Sequence, residues 1–125
     1  MITDSLTGKR EMLSEKKQID DVTVVRMKQD TLTGHEAPDV KTGLLELLVG
    51  DGEKFLVNMK NVQTMDSTGL GALLFGIRQA ENHEKDLRFC ELSDKTMFLV
   101  KIAHLDTVID IYPTEAEALA DFKDE

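Results

Sequence analysis

The chain lacks a long apolar run. Its apolar stretches, such as residues 47–49 and 55–57, are a few residues long and fall far short of the roughly 20 that a membrane-spanning helix needs. Its first residues, MITDSLTGKREMLSEKK, hold no apolar core of the kind that opens a secretory signal. Cysteine is almost missing as well. Cys90 stands alone, so no intrachain disulfide can form, which fits a reducing cytoplasm. Basic charge is scarce: 15 Lys and Arg face 24 Asp and Glu, a net charge of −9. An acidic chain does not gather phosphate backbones, so nucleic acid is a poor candidate partner. Repeats and low-complexity tracts are absent too. What is present is ordinary for a soluble globular protein, 41% hydrophobic and 31% charged residues over 125 positions. That length suits one domain and is short for two.

Residues 1–17 are polar with no sustained apolar period, and read as a flexible N-terminal arm before a domain at 18–125. Beyond them two periods alternate. Residues 22–27 (VTVVRM) are β-branched and predict a strand. Residues 36–49 set Ala37, Val40, Leu44, Leu47 and Leu48 at helical spacing, with Pro38 in the first turn and Gly50-Asp51-Gly52 as the stop. The run Phe55-Leu56-Val57 within 54–59 suits a strand covered on both faces. Residues 68–82 carry Leu70, Leu73, Leu74 and Ile77 as an amphipathic stripe, with Leu74 and Ile77 expected deepest. Then follow a strand at 86–92 and a helix at 94–104, capped by Ser93 or Asp94, with Met97, Phe98 and Ile102 inward. A strand at 107–112 and a helix opened by Pro113 and Thr114, with Ala116, Leu119 and Ala120 on one side, complete the pattern. Such alternation predicts α/β layering on a largely parallel sheet.

The segment NMKNVQTMDSTGLGALL, residues 58–74, joins the buried strand to the amphipathic helix. Ser67 or Thr68 stands where an N-cap belongs. Gly69 and Gly71 are poor helix formers, and two of them in one first turn suggest that something approaches the backbone there. A phosphate on a hydroxyl at this place would find free N–H groups and the positive end of the helix dipole. It would change the exposed surface by nearly two negative charges. A capping role alone also accounts for Ser67, and spacing by itself favours that plainer account.

The residues Met65-Asp66-Ser67-Thr68-Gly69-Leu70-Gly71 resemble the signature of the STAS family (sulphate transporter and anti-sigma factor antagonist). The resemblance runs over about residues 20–122, and takes in FLVNMKNV, LRFCEL and HLDTVIDIYPTEAEAL. It implies a single α/β domain, a mixed, largely parallel sheet with helices packed mainly on one side. In stand-alone members it implies binding of an anti-sigma factor, often a serine-protein kinase, that phosphorylates the serine matched by Ser67. Asp66 is implied in partner contact. Many members carry Gly-Glu-Ile/Leu-Asp after the early strand. This chain has QDTLTG at 29–34, which sets Thr33 at the acidic position and alters that contact.

The resulting expectation is a non-enzymatic, cytoplasmic anti-sigma factor antagonist. Ser67 is the phosphorylation site ahead of Thr68, and Asp66, Ser67, Thr68, Gly69, Leu70 and Thr33 form the partner face. No cofactor or metal is expected. The alternatives are an unphosphorylated scaffold subunit of a signalling or transport assembly, and a module binding a nucleotide, lipid or anion. No dinucleotide fingerprint or Walker A lysine accompanies Gly69 and Gly71. His35, His83 and His104 are too scattered for a zinc pattern. Cys90 reads as a buried small apolar residue, His83 as a residue near the end of the central helix, and Met59, Met65 and Met97 as packing residues.

Overall fold

Strands and helices alternate along the chain, and the strands gather into two sheets. The structure, a computed structural model, describes residues 16–124. In chain order its elements are β1 (Lys17–Ile19), β2 (Val22–Arg26), β3 (Thr31–Leu32), α1 (Ala37–Val49), β4 (Lys54–Asn58) and β5 (Thr64–Met65), then α2 (Ser67–Asn82), β6 (Asp86–Cys90), α3 (Asp94–Ile102), β7 (Ile111–Tyr112) and α4 (Glu115–Lys123). The main sheet has the order β1-β2-β4-β6-β7, and β3 pairs with β5 in a separate two-stranded ribbon. All pairs are parallel except β1 with β2. Residues 1–15 of the expected arm lie outside the described residues, and Lys17 opens β1. That edge strand has no counterpart in the sequence reading. It turns into β2 through Asp20, whose φ is 55°.

The register explains why β4 is apolar throughout. Phe55 and Val57 point to one face beside Val25, Leu87 and Phe89, whereas Leu56 points to the other beside Val24 and Arg88. The first face is covered by α1, α2 and α3, whose Leu44, Leu48, Leu73 and Val100 are buried in one cluster with the strand residues. The second face is covered by α4, through Ala118 and Phe122 packed on Val22, Val24, Leu56 and Cys90. Three helices on one side and one on the other is the expected mixed α/β arrangement.

Several details differ from the sequence reading. In α3, Thr96 and Val100 are buried, while Phe98 and Ile102 are 65% and 57% exposed. The Ser93 hydroxyl accepts from Thr96 N–H and fixes the helix phase. Thr96 and Val100, four residues apart, then face inward, and Phe98, two residues from each, must face outward. The same geometry turns Ala116 and Ala120 of α4 outward and Ala118 and Phe122 inward. In α2 the deepest leucines are Leu70 and Leu73, whereas Leu74 and Ile77 are half-buried. Its inward stripe is Gly69, Leu70, Ala72, Leu73, Gly76 and Ala80, small enough to lie close against its neighbours. The last strand keeps only Ile111–Tyr112, because Leu105 carbonyl accepts from Val108 and Ile109 N–H and curls 105–109 into a turn.

Candidate partner-binding and modification site

The site lies where the β3-β5 ribbon delivers two chain segments to two helix starts. Leu32 pairs with Met65 across the ribbon. One residue later each strand leaves it, toward α1 through Thr33 and toward α2 through Asp66. The N-cap of α2 is Asp66, which corrects the expectation of Ser67 or Thr68. Its Oδ1 accepts from Gly69 N–H at 2.8 Å, and its Oδ2 from Gly34 N–H at 3.3 Å. One carboxylate thus caps α2 and fastens the α1 turn to it.

Ser67 is the first helical residue of α2, and both it and Thr68 are exposed. Because Asp66 does the capping, the Ser67 hydroxyl has no such duty. Gly69 is buried, and its reason is steric. A Cβ there would stand 2.0 Å from the Leu32 carbonyl oxygen. Leu70 is buried at 4% exposure, so of the expected partner residues it and Gly69 form the floor rather than the surface. Thr33 is half-buried beside this turn. Its N–H and hydroxyl both donate to Glu36 Oε1, at 2.9 and 2.8 Å. Those bonds, the backbone one first, hold the Glu36 carboxyl below its ordinary value. Thr33 is thereby bonded to a carboxylate, that of Glu36 three residues later.

Sequence reasoning overlooked Gly34, Leu32 and Glu36 as parts of this site. Thr33-Gly34-His35-Glu36 has the T-x-x-E spacing of a capping box, a signal that could have drawn attention to Glu36. Elsewhere, Cys90 is fully buried, and burial pushes its thiol up to about 12, so at neutral pH it is an un-ionised packing residue. His83 is the C-cap of α2. Met59 is buried and Met65 packs against the core, half-buried. Among the described residues no three His, Cys, Asp or Glu side chains group as metal ligands do, and no helix is long and apolar enough to cross a membrane.

Comparison with known proteins matches this architecture to a family. The family model of the STAS domain matches residues 14–118, and the chain belongs to the STAS domain family. It is 30% identical over 86 residues to the anti-sigma-B factor antagonist of Listeria monocytogenes, covering 69% of this chain and 75% of that protein. The fold is shared with an anti-sigma-factor antagonist (STAS) domain protein from Planctomyces limnophilus, at TM-score 0.76 and 20% identity over 86% of this chain and 95% of the other. It is also shared with the anti-sigma factor antagonist SpoIIAA in its unphosphorylated form, at TM-score 0.63 and 20% identity over 87% and 96% of the two chains.

Proposed function

We propose that the chain is a cytoplasmic anti-sigma factor antagonist. It binds an anti-sigma factor, itself a serine-protein kinase, through the face around residues 66–70 and Thr33, and phosphorylation of Ser67 releases that partner. The name of the Listeria relative supports the first part. The observation that carries the second is the division of labour at α2. Asp66 holds the helix end, and Ser67 stands exposed beside it with no capping role. A phosphate can then be added without loss of the cap, and brings nearly two negative charges next to the Asp66 carboxylate. Thr68, also exposed, is the secondary acceptor. The domain supplies only the hydroxyl, and the kinase supplies ATP, magnesium and the base. The Gly34–Asp66 bond supports counting Thr33 and its Glu36 carboxylate within the same face.

The test is calorimetric titration of wild type, Ser67→Ala, Ser67→Asp and enzymatically phosphorylated protein against the cognate anti-sigma factor. Wild type and Ser67→Ala should bind alike, and the two charged forms should bind more weakly. Unfolding curves should show Ser67→Ala near wild type and Asp66→Ala less stable by about 0.5–2 kcal/mol, the worth of a cap. Equal affinity for all four forms would reject the switch.

A further inference from the structure

The main sheet leaves the first half of β6 without a strand on one side, because β7 keeps two residues and pairs only with Phe89 and Cys90. Between that half of β6, the last turns of α2 and the end of the 105–109 turn lies a cleft of about 210 Å³. Its apolar lining is Ile77, Ala80, Leu87 and Val108, and Val108 is 54% exposed. Four charged residues complete the lining, and two of them are committed elsewhere. The Lys85 ammonium donates to the Gly50 and Gly52 carbonyls just past α1, and the Asp86 carboxylate accepts twice from Arg88. The carboxylates left to the cleft are Glu81, exposed near the end of α2, and Asp110, exposed just before β7. An apolar floor thus carries a negative rim supplied by two separate elements.

We propose that this cleft is a second docking site, which takes an arginine side chain presented by a protein partner. Size argues for a single side chain, since small-molecule sites usually enclose roughly 300–1,000 Å³ and this cleft is smaller. Charge argues for arginine. An anion would be repelled by Glu81 and Asp110, and a purely apolar side chain would strip water from both carboxylates and give them no partner. Arginine suits both parts of the cleft. Its methylene stem covers Ile77, Leu87 and Val108, and its planar guanidinium has donors enough for two carboxylates. Lysine fits less well, because its ammonium is a compact, strongly hydrated point charge. Arginine is also among the side chains that most often anchor the centre of an interface. The cleft lies at the far end of α2 from the candidate modification site. Glu81 follows Ser67 by 14 residues, about 21 Å along a helix. That exceeds the roughly 8 Å over which physiological salt screens a charge, so a phosphate on Ser67 leaves the cleft nearly unaffected. The domain can therefore hold two partners at once, one released by phosphorylation and one retained.

The test is NMR titration of the isotope-labelled full chain with two peptides. One is acetyl-Ala-Leu-Arg-Leu-Ala-amide, and the other carries citrulline, which keeps the shape of arginine and loses its charge. The arginine peptide should shift the backbone amides of residues 77–87 and 105–110 and saturate in the roughly millimolar range of a single anchor. The citrulline peptide should bind at least about tenfold more weakly. Glu81→Gln and Asp110→Asn should each weaken the arginine peptide about threefold to tenfold, whereas Ser67→Asp should change its affinity by less than about twofold. Glu81 and Asp110 are exposed, so both neutral variants should melt near the wild-type temperature. Absence of a saturable shift up to about 10 mM peptide, shifts centred on residues 66–70 instead, or equal affinity for the two peptides would overturn the site. The comparison of peptides uses the wild-type chain, so it decides the matter even where a variant does not fold. A loss of affinity in Ser67→Asp as large as that in Glu81→Gln would overturn the independence of the two ends. No arm of the test uses an anti-sigma factor, so failure here leaves the Ser67 switch standing.

Discussion

The two faces of the main sheet are closed by different physics. On the first, α1, α2 and α3 bury leucines, valines and phenylalanines, and close approach is set by glycines, Gly69 on Leu32 and Gly76 on Leu44. On the second, α4 brings only Ala118 and Phe122 as fully buried apolar residues, and a charge completes the joint. Arg88, 5% exposed, donates to Asp86, to Asp121 of α4 and to the Tyr112 hydroxyl, and its guanidinium stands 3.9 Å from the Phe122 ring centre. The candidate site sits at the end of the first face. Its frame is therefore fixed largely by steric fit, which salt does not loosen, while the electrostatic joint lies across the sheet. A switch that works by adding charge at Ser67 gains from this separation, because the Arg88 joint lies on the opposite face of the sheet.

The strongest way to break that contrast is to open a void on the apolar face. Leu73→Ala removes a side chain that is 1% exposed and should cost about 2–5 kcal/mol. Leu74→Ala, half-buried on the rim of the same cluster, should cost about 1–2 kcal/mol. Urea unfolding of both variants checks the ordering, and equal losses would mean that the phase assigned to α2 is wrong.

A smaller effect than that of Leu73→Ala is expected on the second face. Arg88→Ala should cost about 1–3 kcal/mol, since the guanidinium is buried but Asp121 remains half-exposed and can be rehydrated. Arg88→Met keeps the contact with Phe122 and should recover much of that loss. Neither variant should change affinity for the anti-sigma factor by more than about twofold, because α4 and the site lie on opposite faces. A marked loss of binding in Arg88→Met would show that the faces are coupled.

Part of this arrangement was legible in the sequence. The uninterrupted apolar run at 55–57 identified a strand with helices on both sides, and the position of Pro38 and the glycines at 50 and 52 bounded α1. The motif at 65–71 located the site, since a pattern of hydroxyl, acid and glycines is local information. What escaped were phases and pairings that depend on distant partners. Phe98 and Ile102 look like core residues until the Ser93 cap sets the turn of α3. Asp66 caps α2 through Gly69 N–H, and its second bond, from Gly34 N–H 32 residues earlier, depends on the ribbon. The two glycines at 69 and 71 are alike in sequence, and only the position of the Leu32 carbonyl separates them. Arg88 reads as an ordinary charge in a strand, and its burial depends on Asp121, 33 residues away.

The smallest expected effect lies at a second carboxylate, which joins Asp66 at the site end of the apolar face. The Glu36 carboxylate accepts two bonds from Thr33, which hold its carboxyl below the ordinary glutamate value. The folded protein therefore favours the ionised form. The stabilisation is fully present above the unfolded chain's glutamate value of about 4.3, and is lost as pH falls through the lower folded value. Glu36→Gln keeps an oxygen that can accept from Thr33 N–H but loses the charge, so the deficit near neutrality should be under about 1 kcal/mol. The gap between wild type and Glu36→Gln should close as pH drops below that unfolded value, because the protonated wild type then resembles the amide. Taking the difference between the two proteins cancels the other acids, Asp21 among them, whose carboxyl is also held low by Lys54. Paired urea titrations across the acid range provide the measurement. A gap that stays constant with pH would show that the Thr33–Glu36 bonds do not depend on charge, and would leave the site end as insensitive to acid as the apolar face behind it.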